Sequence, residues 1–175
     1  MDLAQTARVV LETERLFLRE ITHADTAFMI EVLNDRGFVD NIGDRNVRTA
    51  DDAKKYVDAR IRSSYRQHGF GMYAMVSKET GDLLGICGLV KREDLDLPDI
   101  GFAILDRFSG RGYTFEAAKA VLHHARTELR IAQIAAVTRP DNTTTRHLLE
   151  KLGLRFNRRM PVPGFDYEWM LYTES

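Results

Sequence analysis

Cysteine is almost missing from this chain of 175 residues. Cys87 stands alone, which excludes an intramolecular disulfide and a cysteine-based metal cluster together. A surplus of one sign of charge is missing too, since 25 Lys and Arg face 26 Asp and Glu. The basic excess of a nucleic-acid binder is therefore absent, as is any Lys/Arg-dense stripe with interleaved aromatics. Long apolar runs are lacking. Leu83 to Val90 is strand-sized and broken by glycine, well short of the ~20 residues of a membrane span. The opening MDLAQTARVVLETERL does not follow the charged-then-apolar order of a signal peptide. Five histidines offer only the adjacent His123-His124, which cannot share a helix face. These absences predict a protein of the reducing cytoplasm, with no metal site and with neither membrane nor nucleic acid as its main partner.

What is present suffices for one domain over residues 1–175. With 44% hydrophobic residues, a chain close to the usual domain length can bury a sizeable core. Arg15 to Ile21 alternates as a strand, and Thr22-His-Ala-Asp25 has capping-box spacing, predicting a helix to about Asn34. Gly37 to Arg48 reads as a loop. Thr49-Ala-Asp-Asp52 repeats the cap, and Ala53, Tyr56, Val57, Arg60, Ile61 and Ser64 fall on one helical face. Phe70 to Ser77 and Leu83 to Val90 predict an antiparallel pair across Glu79-Thr80-Gly81-Asp82. Ile100 to Leu105 is a fourth strand. Phe115, Ala118, Leu122, Ala125 and Leu129 form a buried helical stripe from Thr114. Gln133 to Thr138 is a strand, Pro140-Asp141-Asn142 opens a helix to Leu152, and Gly153 ends it. Arg155 to Met160 and Tyr167 to Tyr172 close the chain as a strand pair. The order β-α-α-β-β-β-α-β-α-β-β predicts an α+β fold, a mixed, mostly antiparallel twisted sheet of about seven strands with helices on both faces.

The segment PDIGFAILDRFSGRGYTFEA, residues 98–117, joins a strand to a helix through a glycine-punctuated basic turn. Gly110 and Gly112 permit a sharp turn and close backbone approach, and the free N–H groups of the helix start favour an anion such as a pyrophosphate. The same pattern also serves as a plain strand-to-helix turn.

This order and these motifs resemble the GNAT superfamily of acetyl-CoA-dependent N-acetyltransferases, from TERLFLREIT through ETGDLLGICGLV and DIGFAI to GRGYTFEA and PDNTTTRHLLEKLGL. Within it the chain is most similar to the branch of ribosomal-protein N-terminal acetyltransferases, whose cofactor loop reads G-K-G-Y-A-T-E-A. The superfamily loop Q/R-x-x-G-x-G/A falls on Ser109, Gly112 and Thr114, of which Ser109 and Thr114 depart from the consensus. A second register on Arg107, Gly110 and Gly112 leaves GYxxEA out of frame. The resemblance implies acetyl-CoA as co-substrate, with Gly110, Arg111, Gly112, Tyr113 and Thr114 supplying pyrophosphate-binding amides. It implies that the backbone of Ala103, Ile104 and Leu105 pairs with the pantetheine arm, and that the Ala103 N–H polarises the thioester carbonyl. Asn142 matches an asparagine near the thioester, while its local reading is a helix N-cap.

Acetyl transfer needs a neutral amine, and the resemblance points to Asp99, opening the fourth predicted strand, as the base. The competing reading makes Asp99 a solvated carboxylate in KREDLDLPD. Glu93 and Asp94 are weaker candidates, and Glu116 is expected to serve the helix dipole. Where many members carry a tyrosine acid, this chain has Leu149, so no general acid is assigned. Cys87 reads as a small core residue.

The leading reading is transfer of an acetyl group to a protein N-terminal α-amine or a small amine by direct attack. The alternative is an acyl-CoA-binding sensor or partner module of the same fold with little turnover. A Rossmann-type turn is disfavoured, because hairpin-linked strands precede the loop and the full G-x-G-x-x-G is absent. Glu93, Asp94, Asp96 and Asp99, facing Asp35, Asp40, Asp44, Asp51 and Asp52, predict an acidic rim that would favour cationic acceptors. Oligomeric state stays open, with the C-terminal strands around Trp169 as an edge through which a homodimer could form.

Overall fold

The computed structural model describes residues 7–174. The first strand, β1 (Val9–Glu12), precedes the first one expected, and β2 (Leu16–Glu20) pairs with it antiparallel. The Thr22 cap forms as expected: its side chain accepts from Ala24 N while Asp25 reaches back to the Thr22 N–H. This box starts a single 3₁₀ turn, His23–Asp25, that runs into α1 (Thr26–Leu33). Asp25 also takes both ends of Arg19 at 2.8 and 2.9 Å in a buried bidentate pair, which ties α1 to β2.

The expected loop after α1 is partly helical. α2 (Arg36–Asn41) is capped by Asp35 and anchored by buried Phe38, a six-residue helix too short to show a period in the sequence. The second Thr cap, Thr49 with Asp52, opens α3 (Ala50–Tyr56), which continues through a π-helical stretch, Val57–Arg62, into α4 (Ser63–His68). Ala53, Val57 and Ile61 face the core as expected, whereas Arg60 is exposed because the wider π turn carries it outward. Gly69, at φ +74°, ends the helix.

β3 (Met72–Ser77) and β4 (Leu83–Val90) form the expected hairpin, and β5 (Asp99–Ile104) pairs antiparallel with β4. Then come α5 (Tyr113–Thr127), β6 (Ala135–Thr138), α6 (Thr143–Lys151), β7 (Leu154–Met160) and β8 (Trp169–Glu174). The eight strands form one sheet in the order β1-β2-β3-β4-β5-β6-β8-β7, antiparallel except for β5 against β6. The last strand thus lies inside the sheet, and β1 and β7 are its two edges. Trp169 sits on β8 between two partners, so pairing between subunits through its own strand is closed, and at the C-terminal end of the sheet the free edge belongs to β7.

Both faces of the sheet are covered. α5 and α6 bury Ala118, Val121, Leu122 and Leu149 against Leu18, Met75, Leu89 and Ile100. On the other face α1 to α4 bury Phe28, Met29, Val57 and Ile61 against Ala74 and Ile86. Each fully buried leucine-sized side chain stabilises the fold by about 1.5–3 kcal/mol, so these two clusters hold the sheet rigid between the helices. Cys87 lies wholly within the α5 side of the core, where burial pushes its thiol pKa up. It is inert packing.

Candidate active site

A fork in the sheet and a glycine turn define the site. β5 and β6 pair in parallel register only at Asp99 and Ala135 among the described residues, supported by Ala135 N donating to the Pro98 carbonyl at 2.9 Å. Beyond that point the strands part, and β5 exposes one row of backbone groups with no strand partner.

Register decides which residues own that row. Leu105 N donates to the Leu84 carbonyl at 2.9 Å, and Ile86 opposes Ala103 two residues on in the same ladder. Alternation in an antiparallel ladder turns the N–H and C=O of Ala103 and the N–H of Leu105 toward β4, while the Leu105 carbonyl accepts from Phe108 N at 2.9 Å; the groups of Phe102 and Ile104 turn toward the fork. The expectation for Ala103 and Leu105 is therefore corrected, and only Ile104 of that trio offers its backbone to a ligand. Phe102 was missed. The hydrophobic pattern could not have found it, because the parity of main-chain bonds depends on the partner strand. The Ala103 side chain still lines the fork on the α1–α4 side.

At the far end of β5 the turn is built as the glycines suggested. Gly110 and Gly112 adopt φ +75° and +81°, in the left-handed region that disfavours side chains. Gly112 precedes α5, whose first main-chain bond is Glu116 N to Gly112 O at 3.1 Å. The N–H groups of residues 110–115, including those of Arg111, Tyr113 and Thr114, have no acceptor among the described residues. Such a run of free amides at a helix start, together with the helix dipole, makes a seat for a diphosphate.

Glu116 serves more than the dipole. Its carboxylate accepts from Arg15 Nε at 2.8 Å, Arg15 N at 3.0 Å and the Thr13 hydroxyl. Burial pulls its pKa up, and these bonds more than offset it, leaving the carboxyl below the usual range.

Asn142 caps α6: its side-chain oxygen accepts from Thr145 N at 3.2 Å. Because the oxygen is committed, the amide nitrogen is left over and has no partner among the described residues. Capping and ligand contact are thus compatible. Leu149, where the resemblance expected a tyrosine, is only 1% exposed and packs in the core.

Asp99 is not a solvated carboxylate. It is 6% exposed, its Oδ1 has no hydrogen-bond partner, and burial pushes its pKa up to about 7, against an opposing pull from Arg92. It shares a face with Gly101 and Ala103, and through the register with Ala135 and Val137 of β6 and with Leu171 and Trp169 of β8. This face looks toward α1–α4. A buried carboxyl half-protonated near neutrality, at the closed end of a fork, can take a proton from an amine.

The open end of the same face is roofed by residues that the motifs did not flag. Arg139 follows β6 and bonds the Asp40 carbonyl and the Asp141 carboxylate, with its guanidinium 5.6 Å from the Tyr167 ring centre. Phe165 packs against Trp169 with ring centres 4.9 Å apart and planes tilted by 60°, and lies beside Gly43. The β7–β8 loop thus meets the segment after α2. Only the placement of β8 inside the sheet brings these together.

The acidic rim is largely consumed. Asp35 caps α2 and accepts from Asp106 N, Asp40 pairs with Arg36, Asp44 with Arg48, Asp94 with Arg92, and Asp52 serves its capping box. Asp51, Glu93 and Asp96 are the exposed acids left without an ion pair among the described residues. The expected field is correspondingly weaker.

No helix among the described residues is long and apolar enough to cross a membrane. The family model for the GNAT acetyltransferase domain matches residues 15–155. The uncharacterized protein YkkB of Bacillus subtilis is 27% identical over 173 residues, covering 95% of this chain and 99% of that protein. An uncharacterized N-acetyltransferase of the same organism, YnaD, is 24% identical and covers 83% of this chain and 82% of its own. Among solved structures, the ribosomal L7/L12 α-N-protein acetyltransferase RimL in complex with coenzyme A superposes with a TM-score of 0.81 at 16% identity, over 95% of this chain and 97% of that one. Family match, fork and free-amide turn agree: the chain belongs to the GNAT family of acetyl-CoA-dependent acetyltransferases.

Proposed function

We propose that this chain acetylates a primary amine, either a protein N-terminal α-amine or a small amine, by direct attack on acetyl-CoA. The observation that carries the proposal is the conjunction of the β5/β6 fork with the unpaired amides of residues 110–115. The amides of Gly110, Arg111, Gly112, Tyr113 and Thr114 hold the diphosphate. The backbone of Phe102 and Ile104 pairs with the pantetheine arm in the fork, and the leftover amide nitrogen of Asn142 reaches the same arm. The residues present fit this guest, because free donors line the path and Asp99 leaves an orphaned acceptor at its end.

Asp99 serves as the base. An α-amine with pKa about 7.7–8.0 is partly neutral at pH 7, whereas a lysine-like amine near 10.4 is not, so a carboxylate of matched pKa helps the former most. Asp99 takes the proton as the nitrogen attacks the thioester carbonyl carbon and the carbon–sulfur bond breaks. A cleft-facing N–H, that of Phe102 or Ile104, donates to the carbonyl oxygen as charge develops on it. Water protonates the departing thiolate, since Leu149 supplies no proton. Acetyl-CoA-dependent thiol release against short N-terminal peptides, polyamines, aminoglycosides and amino acids tests the reading. Turnover with at least one amine class is expected, and CoA binding without turnover on any amine favours the sensor alternative.

A further inference from the structure

We propose that Arg15 is a positioning residue for the diphosphate turn: held by Glu116, it pins the Arg111 carbonyl and so keeps the amides of residues 110–115 facing the co-substrate. The inference rests on the placement of acetyl-CoA just given.

Arg15 stands in the β1–β2 turn, about a hundred residues from the loop that it touches, so the contact is tertiary and not a by-product of local chain folding. Its Nη1 donates to the Arg111 carbonyl at 2.9 Å and its Nε to Glu116 Oε1 at 2.8 Å. The guanidinium lies 4.3 Å from the Tyr113 ring centre, which closes one face of it. A Cβ built on Gly112 would come to 3.4 Å from Arg15 Nη2, so the arginine rests directly on the turn.

The geometry has a consequence for the ligand. The Arg111 carbonyl and the Gly112 N–H belong to one planar trans peptide unit, so they point in opposite directions. A carbonyl drawn toward Arg15 therefore turns the Gly112 N–H away from it. Without that bond the unit is free to rotate, and Gly112 on its C-terminal side offers little steric resistance. Glu116 plays the second half. An unpaired carboxylate in the first turn of α5 would oppose a diphosphate, and the ion pair with Arg15 removes that opposition while locking the guanidinium's direction.

A direct charge effect makes the opposite forecast, and the two are separated by Glu116→Gln. If Arg15 acts only as a nearby positive charge, removing its carboxylate partner should tighten CoA binding. If it acts as a clamp, the same change should weaken it. The experiment is calorimetric titration of CoA into the parent, Arg15→Ala, Arg15→Lys and Glu116→Gln, with steady-state kinetics alongside. Expected are a roughly tenfold loss for Arg15→Ala, the effect of one charge-assisted hydrogen bond, a smaller loss for Arg15→Lys, and a loss rather than a gain for Glu116→Gln. The kinetic penalty falls on KM for acetyl-CoA, with KM for the amine moving little, a split that general loosening of the fold would not produce. Should Arg15→Ala not fold, Arg15→Lys and Glu116→Gln carry the test. A parent that does not bind CoA overturns the placement itself, whereas a parent that binds while Glu116→Gln binds equally or more tightly overturns the clamp alone.

Discussion

Asp99 and Ala135 are the point at which β5 and β6 meet before parting, and the pairing explains why the Asp99 carboxyl is buried. It lies between Val90 on β4 and Ala135 on β6, beneath the 91–98 connection that sends Leu95 into the core, with one oxygen left unbonded.

That burial makes stability depend on pH. The folded pKa of about 7 lies above the ordinary value of 3.8, so between those values the folded state keeps a proton that the unfolded state has released. Stability therefore falls as pH rises from about 4 to about 7 and levels off above. Asp99→Asn removes the dependence. The stability difference between variant and parent should shift in the variant's favour by about 4 kcal/mol from pH 4 to pH 8, read from urea midpoints at each pH. A constant difference would mean that Asp99 titrates normally.

Gly112 carries two constraints, a φ of +81° and contact with Arg15. Gly110 carries only the first, φ +75°, with open space around it. Gly110→Ala should cost about 1 kcal/mol in stability from backbone strain. Gly112→Val should do more, displacing Arg15 and weakening CoA binding by at least about tenfold, or 1.4 kcal/mol. Equal CoA affinity in a folded Gly112→Val variant would remove the diphosphate from this turn.

The Arg19–Asp25 pair is buried at both ends, 8% and 4% exposed. Asp25→Ala strands a guanidinium in the core and also breaks the Thr22 cap, so a loss of about 3–5 kcal/mol is expected. Replacing both residues by apolar ones should recover part of it. A double-mutant cycle in urea checks this, and additive losses would show that the two side chains act independently.

Leu149→Tyr tests whether a missing acid can be restored. The site is core, and the larger ring should cost about 1–3 kcal/mol from overpacking without raising kcat. A faster enzyme would show that the ring reaches the fork after all.

The parts of the fold that the sequence made legible are those written in local chemistry: both threonine caps, the hairpin at Gly81, the α5 stripe and the paired glycines. β1 is an edge strand with no residue fully buried, so it lacks the alternation that betrays a strand. α2 rests on one aspartate cap and one phenylalanine, and the π stretch Val57–Arg62 has no compositional mark. The site divides the same way. Gly110, Gly112 and Asn142 could be read from their neighbours. Which β5 amides face the fork depends on the β4–β5 register, and the meeting of Trp169 and Arg139 at its open end depends on the insertion of β8 between β6 and β7, choices settled by long-range packing.

Deprotonation of the amine by Asp99 at the fork is the central step proposed, and its most direct measurement is the pH dependence of kcat/KM for the amine in parent and Asp99→Asn, at saturating acetyl-CoA. The parent should rise through an inflection near pH 7, the pKa that burial gives Asp99, and the variant should be slower by about 10²-fold or more, lack that inflection and regain activity at high pH as free amine accumulates. Superimposable profiles would contradict it.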